Sequence, residues 1–79
     1  MVVKEQLGQM LVKFREDAGL TQNEVADALE VSTRSVQRFE AGKDSPKYTT
    51  LFKLARLFKV HPGELLDSAW RHWKRQPDD

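Results

Sequence analysis

Apolar residues recur at helical intervals along most of the chain, and turn-forming residues divide them into five segments. In the first, Val3, Leu7, Met10, Leu11, Phe14 and Ala18 keep helical spacing, and Gly19 ends the run. Gly8 inside this segment costs about 1 kcal/mol relative to alanine, so a close approach by another helix is expected there. The second segment starts with Thr21 as N-cap and Glu24 three residues later, the two halves of a capping box. Val25, Ala26 and Leu29 then define one buried side of a helix about two turns long. Glu30 and Val31 interrupt the pattern, and Ser32 supplies a second N-cap. Val36 and Phe39 set the buried side of a third helix, which should end at Ala41 with Gly42 in the left-handed position beyond it.

The stretch Lys43 to Lys47 is a loop, because Asp44, Ser45 and Pro46 are turn formers and Pro46 disfavours helix at the residue before it. A fourth helix is predicted from Tyr48 to Phe58, with Leu51, Leu54, Ala55 and Phe58 inward. Pro62 is a good first residue for a fifth, whose stripe Leu65, Leu66, Ala69, Trp70 and Trp73 carries it to about Arg75. Residues 76–79 read as a frayed tail. Residues 1–75 therefore read as one all-α domain with an extended C-terminal helix. At 79 residues, a compact helical bundle is the fold able to bury a useful core without disulfides or metal.

Absent residue types narrow the chemistry. There is no cysteine, which excludes disulfides and thiolate metal sites and is compatible with a reducing compartment. His61 and His72 are far apart, and no glycine-rich phosphate loop or HExxH spacing occurs, so neither an enzyme nor a metal or cofactor site is expected. His61, just before a helix, suits a cap or surface group better than a ligand. No apolar run approaches the roughly 20 residues of a membrane span, and Met-Val-Val-Lys-Glu lacks a signal-peptide pattern. A soluble, cytoplasmic protein is expected.

The net charge of +1 hides an uneven distribution. Residues 1–31 carry three basic and six acidic side chains, a net of −3, whereas residues 32–59 carry seven basic and two acidic, a net of +5. The positive charge begins where the third helix begins, as on a surface that faces phosphates. A solvated helical face is the plainer alternative. If Val36 and Phe39 point inward, Thr33, Arg34, Gln37 and Arg38 lie on the opposite side of that helix. These types suit the major groove of DNA, where arginine pairs with guanine and glutamine with adenine. A phosphate contact or a solvated charge is the alternative for each arginine.

The combination of Gln22, Val25-Ala26, Val31-Ser32, Val36, Glu40, Gly42 and Pro46 resembles the helix-turn-helix of the lambda-repressor-like proteins, the Cro/CI or xenobiotic-response-element type. The resemblance covers about residues 7–66. It implies a five-helix domain with the helix-turn-helix at the second and third helices, whose base contacts map onto Thr33, Arg34, Gln37 and Arg38. It also implies that Gln22, in the first turn of its helix, holds a phosphate. Asn23, Lys43, Ser45, Lys47 and Tyr48 are weaker phosphate candidates. The family commonly joins an arginine late in its first helix to a glutamate near the end of its third, which corresponds here to a structural Arg15–Glu40 pair. One departure concerns the turn position usually held by glycine, which is Glu30 here and should carry a small left-handed penalty or force another geometry.

The function implied is sequence-specific binding of double-stranded DNA by a transcriptional regulator, a repressor in the first instance, acting as a homodimer on a pseudo-palindromic site. Leu66, Ala69, Trp70 and Trp73 are the candidate dimer interface, because the stripe runs beyond what a five-helix core needs. Folding of either tryptophan back onto the first helix is the alternative. A protein-interaction module such as an antitoxin or adaptor, with an unknown protein partner, is the competing function.

Overall fold

The computed structural model describes residues 3–67, in which the helices are α1 (Val3–Asp17), α2 (Gln22–Leu29), α3 (Thr33–Glu40), α4 (Tyr48–Phe58) and α5, which is helical over residues 62–67. No strand occurs among the described residues. The all-α, five-helix expectation therefore holds, and the bounds of α4 coincide with those read from its apolar stripe. Residues 68–79 lie outside the described range, including Ala69, Trp70, Trp73, the expected helix end near Arg75 and the tail.

Local chemistry explains where α2, α3 and α5 start. The Thr21 hydroxyl accepts from the Glu24 amide at 3.1 Å while the Glu24 carboxylate accepts from the Thr21 amide at 2.8 Å, completing the capping box. Ser32 caps α3 by accepting from the Ser35 amide at 3.1 Å. His61 plays the capping part ahead of α5, where its Nδ1 accepts from the Gly63 amide at 2.9 Å.

Helix ends follow one scheme. After α3, the Gly42 amide donates to the Phe39 carbonyl at 3.2 Å and the Lys43 amide to the Arg38 carbonyl at 3.0 Å, the pair of bonds that defines a Schellman turn. Gly42 is left-handed at φ +74°. The same crossing of bonds closes α2 through Glu30 and Val31, and α4 through Lys59 and Val60. Of the geometries open to the turn after α2, the left-handed one is realised, with Glu30 at φ 59°. Lys59 repeats it at φ 60°, an exception that the apolar pattern does not announce.

The core gathers one stripe from each helix. Leu7, Leu11, Val25, Ala26, Leu29, Val36, Leu51, Leu54, Ala55, Phe58 and Leu65 are all buried. Met10, Phe14, Leu20, Val31 and Phe39 pack partly buried against them. The Phe14 and Phe58 rings stack with centroids 6.4 Å apart, tying α1 to α4. Ala18 keeps the spacing of α1 but falls beyond its last turn and is exposed.

α3 is held between α1 and α2, and α2 also packs on α4. Gly8 explains how closely α1 approaches. A Cβ at that position would lie 2.7 Å from both the Phe39 and the Glu40 carbonyl oxygens, so only glycine admits this crossing. The close approach expected from an apparently costly glycine is thus present, and it is made to the last turn of α3.

Candidate nucleic-acid interface

With Val36 buried and Phe39 packed against the core, α3 turns Arg34 and Gln37 to solvent and leaves Thr33 and Arg38 partly exposed. Arg34, Gln37, Arg38 and Lys43 line one open depression together with Ala41. Gln22, Asn23, Thr33 and Gln37 line a second, which reaches Arg15 and Leu20. Gln37 belongs to both, so the four candidate base readers and three of the phosphate candidates form one continuous surface. Ser45, Lys47 and Tyr48 line neither depression. Tyr48 is 71% exposed and its ring meets Phe52 edge-on with centroids 5.9 Å apart.

The start of α2 and the end of α3 are joined beneath this surface. Arg15 Nε donates to Glu40 Oε2 at 2.6 Å and Arg15 Nη2 to Glu40 Oε1 at 3.2 Å, a side-on bidentate pair. The remaining terminal nitrogen, Nη1, donates to the Leu20 carbonyl at 2.9 Å. Gln22 Nε2 adds a further donor to Glu40 Oε1 at 2.9 Å. The Arg15 and Glu40 side chains are 14% and 8% exposed, so this junction is largely shielded from water. Hydrogen bonding to Glu40 raises the Arg15 pKa above the ordinary arginine value; burial opposes the shift, and the charges of Glu40 and Glu16 add to it.

Two contacts cross from α2 to the outward face of α3. Thr33 Oγ1 donates to Asn23 Oδ1 at 2.6 Å, and Gln37 Nε2 approaches Gln22 Oε1 at 3.5 Å. Gln22 is thereby engaged at both ends of its amide: the nitrogen serves Glu40, and the oxygen faces Gln37. Its position next to α3 follows from the α2 capping box, which places it in the first turn.

Arg38 has a partner that sequence reading missed. Its Nε donates to Asp44 Oδ2 at 2.7 Å and its Nη2 to Asp44 Oδ1 at 3.2 Å. The Schellman turn explains the encounter, because the Lys43 and Asp44 amides both donate to the Arg38 carbonyl, at 3.0 and 3.3 Å. The loop therefore folds back over the residue that carries the guanidinium. Hydrogen bonding to Asp44 raises the Arg38 pKa above its ordinary value, and the carboxylate charge adds to this. The signal available beforehand was a Schellman glycine at position 42 with an acidic residue two places on.

Among the described residues, no group of histidine, cysteine, aspartate and glutamate side chains is placed to hold a metal ion. None of the described helices is long and apolar enough to cross a membrane. Two short helices joined by a tight turn, the second presenting arginine and glutamine, form the core of this surface. The sequence model described as helix-turn-helix matches residues 11–65. The chain belongs to this helix-turn-helix family.

Individual relatives extend the likeness. The HTH-type transcriptional regulator ImmR of Bacillus subtilis is 35% identical over 60 residues, which make up 76% of this chain and 47% of ImmR. The chain thus spans about half the length of this curated relative. The crystal structure of the clp gene regulator ClgR from Corynebacterium glutamicum superposes with a TM-score of 0.87 at 26% identity, covering 94% of this chain and 79% of that one. The restriction-modification controller protein C.AhdI from Aeromonas hydrophila gives 0.72 at 28% identity, over 77% and 92%. These helix-turn-helix relatives are regulators rather than enzymes.

Proposed function

We propose that this helix-turn-helix chain is a sequence-specific, DNA-binding transcriptional regulator of the cytoplasm, acting as a repressor. α3 enters the major groove and reads bases through Thr33, Arg34, Gln37 and Arg38. Gln22, Asn23, Lys43, Ser45, Lys47 and Tyr48 face the phosphates on either side. The observation that carries the reading is the outward set Arg34, Gln37 and Arg38 on a helix fixed from beneath by the Arg15–Glu40–Gln22 junction. Regulator names among the relatives support it. The charge step at Ser32 supports it as well, because basic side chains release counterions from DNA on binding.

One helix-turn-helix reads few base pairs, so the functional unit proposed is a homodimer whose two α3 helices enter successive major grooves about 34 Å apart. Leu66, 48% exposed on α5, begins the apolar stripe assigned to the dimer contact, which continues through Ala69, Trp70 and Trp73. Gel-shift selection from a random double-stranded DNA pool tests the function. Enrichment of one pseudo-palindromic site is expected, with half-sites one helical turn apart. Binding without any sequence preference would instead favour a protein-interaction module, for which the exposed Tyr48–Phe52 pair offers an apolar contact. Sedimentation equilibrium showing a monomer at high micromolar concentration would reject the dimer.

A further inference from the structure

An arginine has five N–H donors in one plane and presents them along two edges that matter here. The side edge consists of Nε and the nearer terminal nitrogen; the front edge takes one hydrogen from each terminal nitrogen. Asp44 occupies the side edge of Arg38, because its carboxylate meets Nε at 2.7 Å and Nη2 at 3.2 Å. Both hydrogens of Nη1 and the second of Nη2 are left, and one from each nitrogen makes up the front edge. With the side edge occupied, the front edge is the one left to donate bidentately to O6 and N7 of guanine. Arg38 is 40% exposed in its side chain and borders the depression shared with Arg34 and Gln37.

From this geometry we infer that Asp44 is a specificity-determining positioning residue: it holds Arg38 by its side edge so that the front edge is presented to a guanine in the major groove. The inference rests on the regulator reading above and goes beyond it by assigning a base to one side chain and a cause to that side chain's orientation. An unrestrained arginine samples many rotamers, and several bring it to phosphates, which carry no sequence information. Asp44 removes those alternatives. Asp44 is fixed at both ends, its carboxylate by the guanidinium and its amide by donation to the Arg38 carbonyl at 3.3 Å. Its negative charge also repels the nearby phosphate backbone, which disfavours poses that bring α3 in without a base partner for Arg38. Asp44 thus lowers affinity for arbitrary DNA while sharpening the preference at one position.

The experiment selects binding sites from a random double-stranded DNA pool with the full chain, with Asp44→Asn, with Arg38→Ala and with both changes together. In the unmodified protein, one position of each half-site should prefer guanine and lose that preference in Arg38→Ala. Asp44→Asn should weaken the same preference by about tenfold, leave the other positions unchanged and bind random DNA more tightly. The double variant should match Arg38→Ala in its base profile. Asp44→Glu, which keeps a carboxylate on a longer stem, should retain part of the preference that Asp44→Asn loses. Asp44 is 46% exposed, and a circular-dichroism melt of each variant verifies the fold. Site enrichment by the unmodified chain together with an unchanged base profile in Asp44→Asn would overturn this inference alone. So would a uniform gain of affinity for every sequence, which would make Asp44 a competitor of DNA. A pool from which the unmodified chain enriches nothing would overturn the regulator reading and this inference with it.

Discussion

Two arginine–carboxylate forks in this molecule have nearly the same bond lengths and opposite surroundings. Arg15 meets Glu40 at 2.6 and 3.2 Å, and Arg38 meets Asp44 at 2.7 and 3.2 Å, each through Nε and Nη2. In the first, the Leu20 carbonyl takes Nη1 and the Gln22 amide reinforces the carboxylate. In the second, Arg38 borders an open depression. The first pair is shielded from water and the second is nearly half exposed. The lesson is that ion-pair geometry alone does not assign a role. What surrounds the donors left over decides whether the arginine is a fastener or is open to a ligand, as proposed for Arg38.

The largest test of this contrast removes one partner of the enclosed fork. Arg15→Ala should lower stability by about 2–3 kcal/mol, since charged hydrogen bonds are lost and Glu40 keeps only Gln22 of its side-chain donors. Chemical denaturation measures the loss, and DNA affinity should fall with it although Arg15 lies below the proposed contact surface. A double-mutant cycle with Glu40→Ala should give a coupling above the roughly 1 kcal/mol of exposed pairs. Additive effects would show that the enclosure contributes nothing. Asp44→Asn, in contrast, should leave the melting temperature almost unchanged.

A second variant separates the forks without touching either. Gly8→Ala places a methyl group 2.7 Å from two α3 carbonyls and should cost about 1–3 kcal/mol by forcing α1 away from α3. That displacement strains the Arg15–Glu40 fork and presses on the Phe39 carbonyl, whereas the Lys43 and Asp44 amide bonds to the Arg38 carbonyl, which set Asp44 against Arg38, lie outside the clash. Base preference on selected DNA should survive in the fraction of molecules still folded. A changed preference at the Arg38 position would mean that the two forks are not independent.

The smallest effect expected is a gain. Glu30→Gly relieves a left-handed backbone at φ 59° and should stabilise the chain by about 1 kcal/mol, visible as a higher melting temperature. Neither fork changes, so the base profile should be identical to that of the unmodified chain. This variant is the control showing that stability by itself does not move specificity.

The parts legible in the sequence are those governed by one local rule. Thr21 with Glu24 marked the start of α2, the stripe from Leu51 to Phe58 gave α4 its bounds, and Gly8 announced a close helix crossing. The turn at Glu30 was visible as a departure from a family pattern, and the structure resolves its geometry. Properties that depend on which groups meet in space were less accessible. Lys59 is left-handed where the Lys59 and Val60 amides close α4 on the Arg56 and Ala55 carbonyls, and no residue type marks it. Gln6 and Pro46 are buried although neither belongs to an apolar stripe. In the candidate site, the outward face of α3 could be read from Val36 and Phe39. The prior engagement of Gln22 by Glu40 and of Arg38 by Asp44 could not, because it depends on the fold of a loop and on side-chain rotamers.

The Schellman turn at Gly42 also bears on how such a protein diverges. Arg38 and Asp44 are six residues apart, whereas Arg15 and Glu40 are 25 apart. Closing the longer span costs roughly 1 kcal/mol more in chain entropy, so that contact depends on the whole bundle, while the shorter one is set within a single turn. If Arg38 reads a base as proposed, Arg38 and Asp44 can be exchanged together while Phe39, Glu40 and Gly42 between them keep the packing of α1 on α3. New binding sites would then arise through two positions of one turn, while the residues between them stay under the separate constraint of packing.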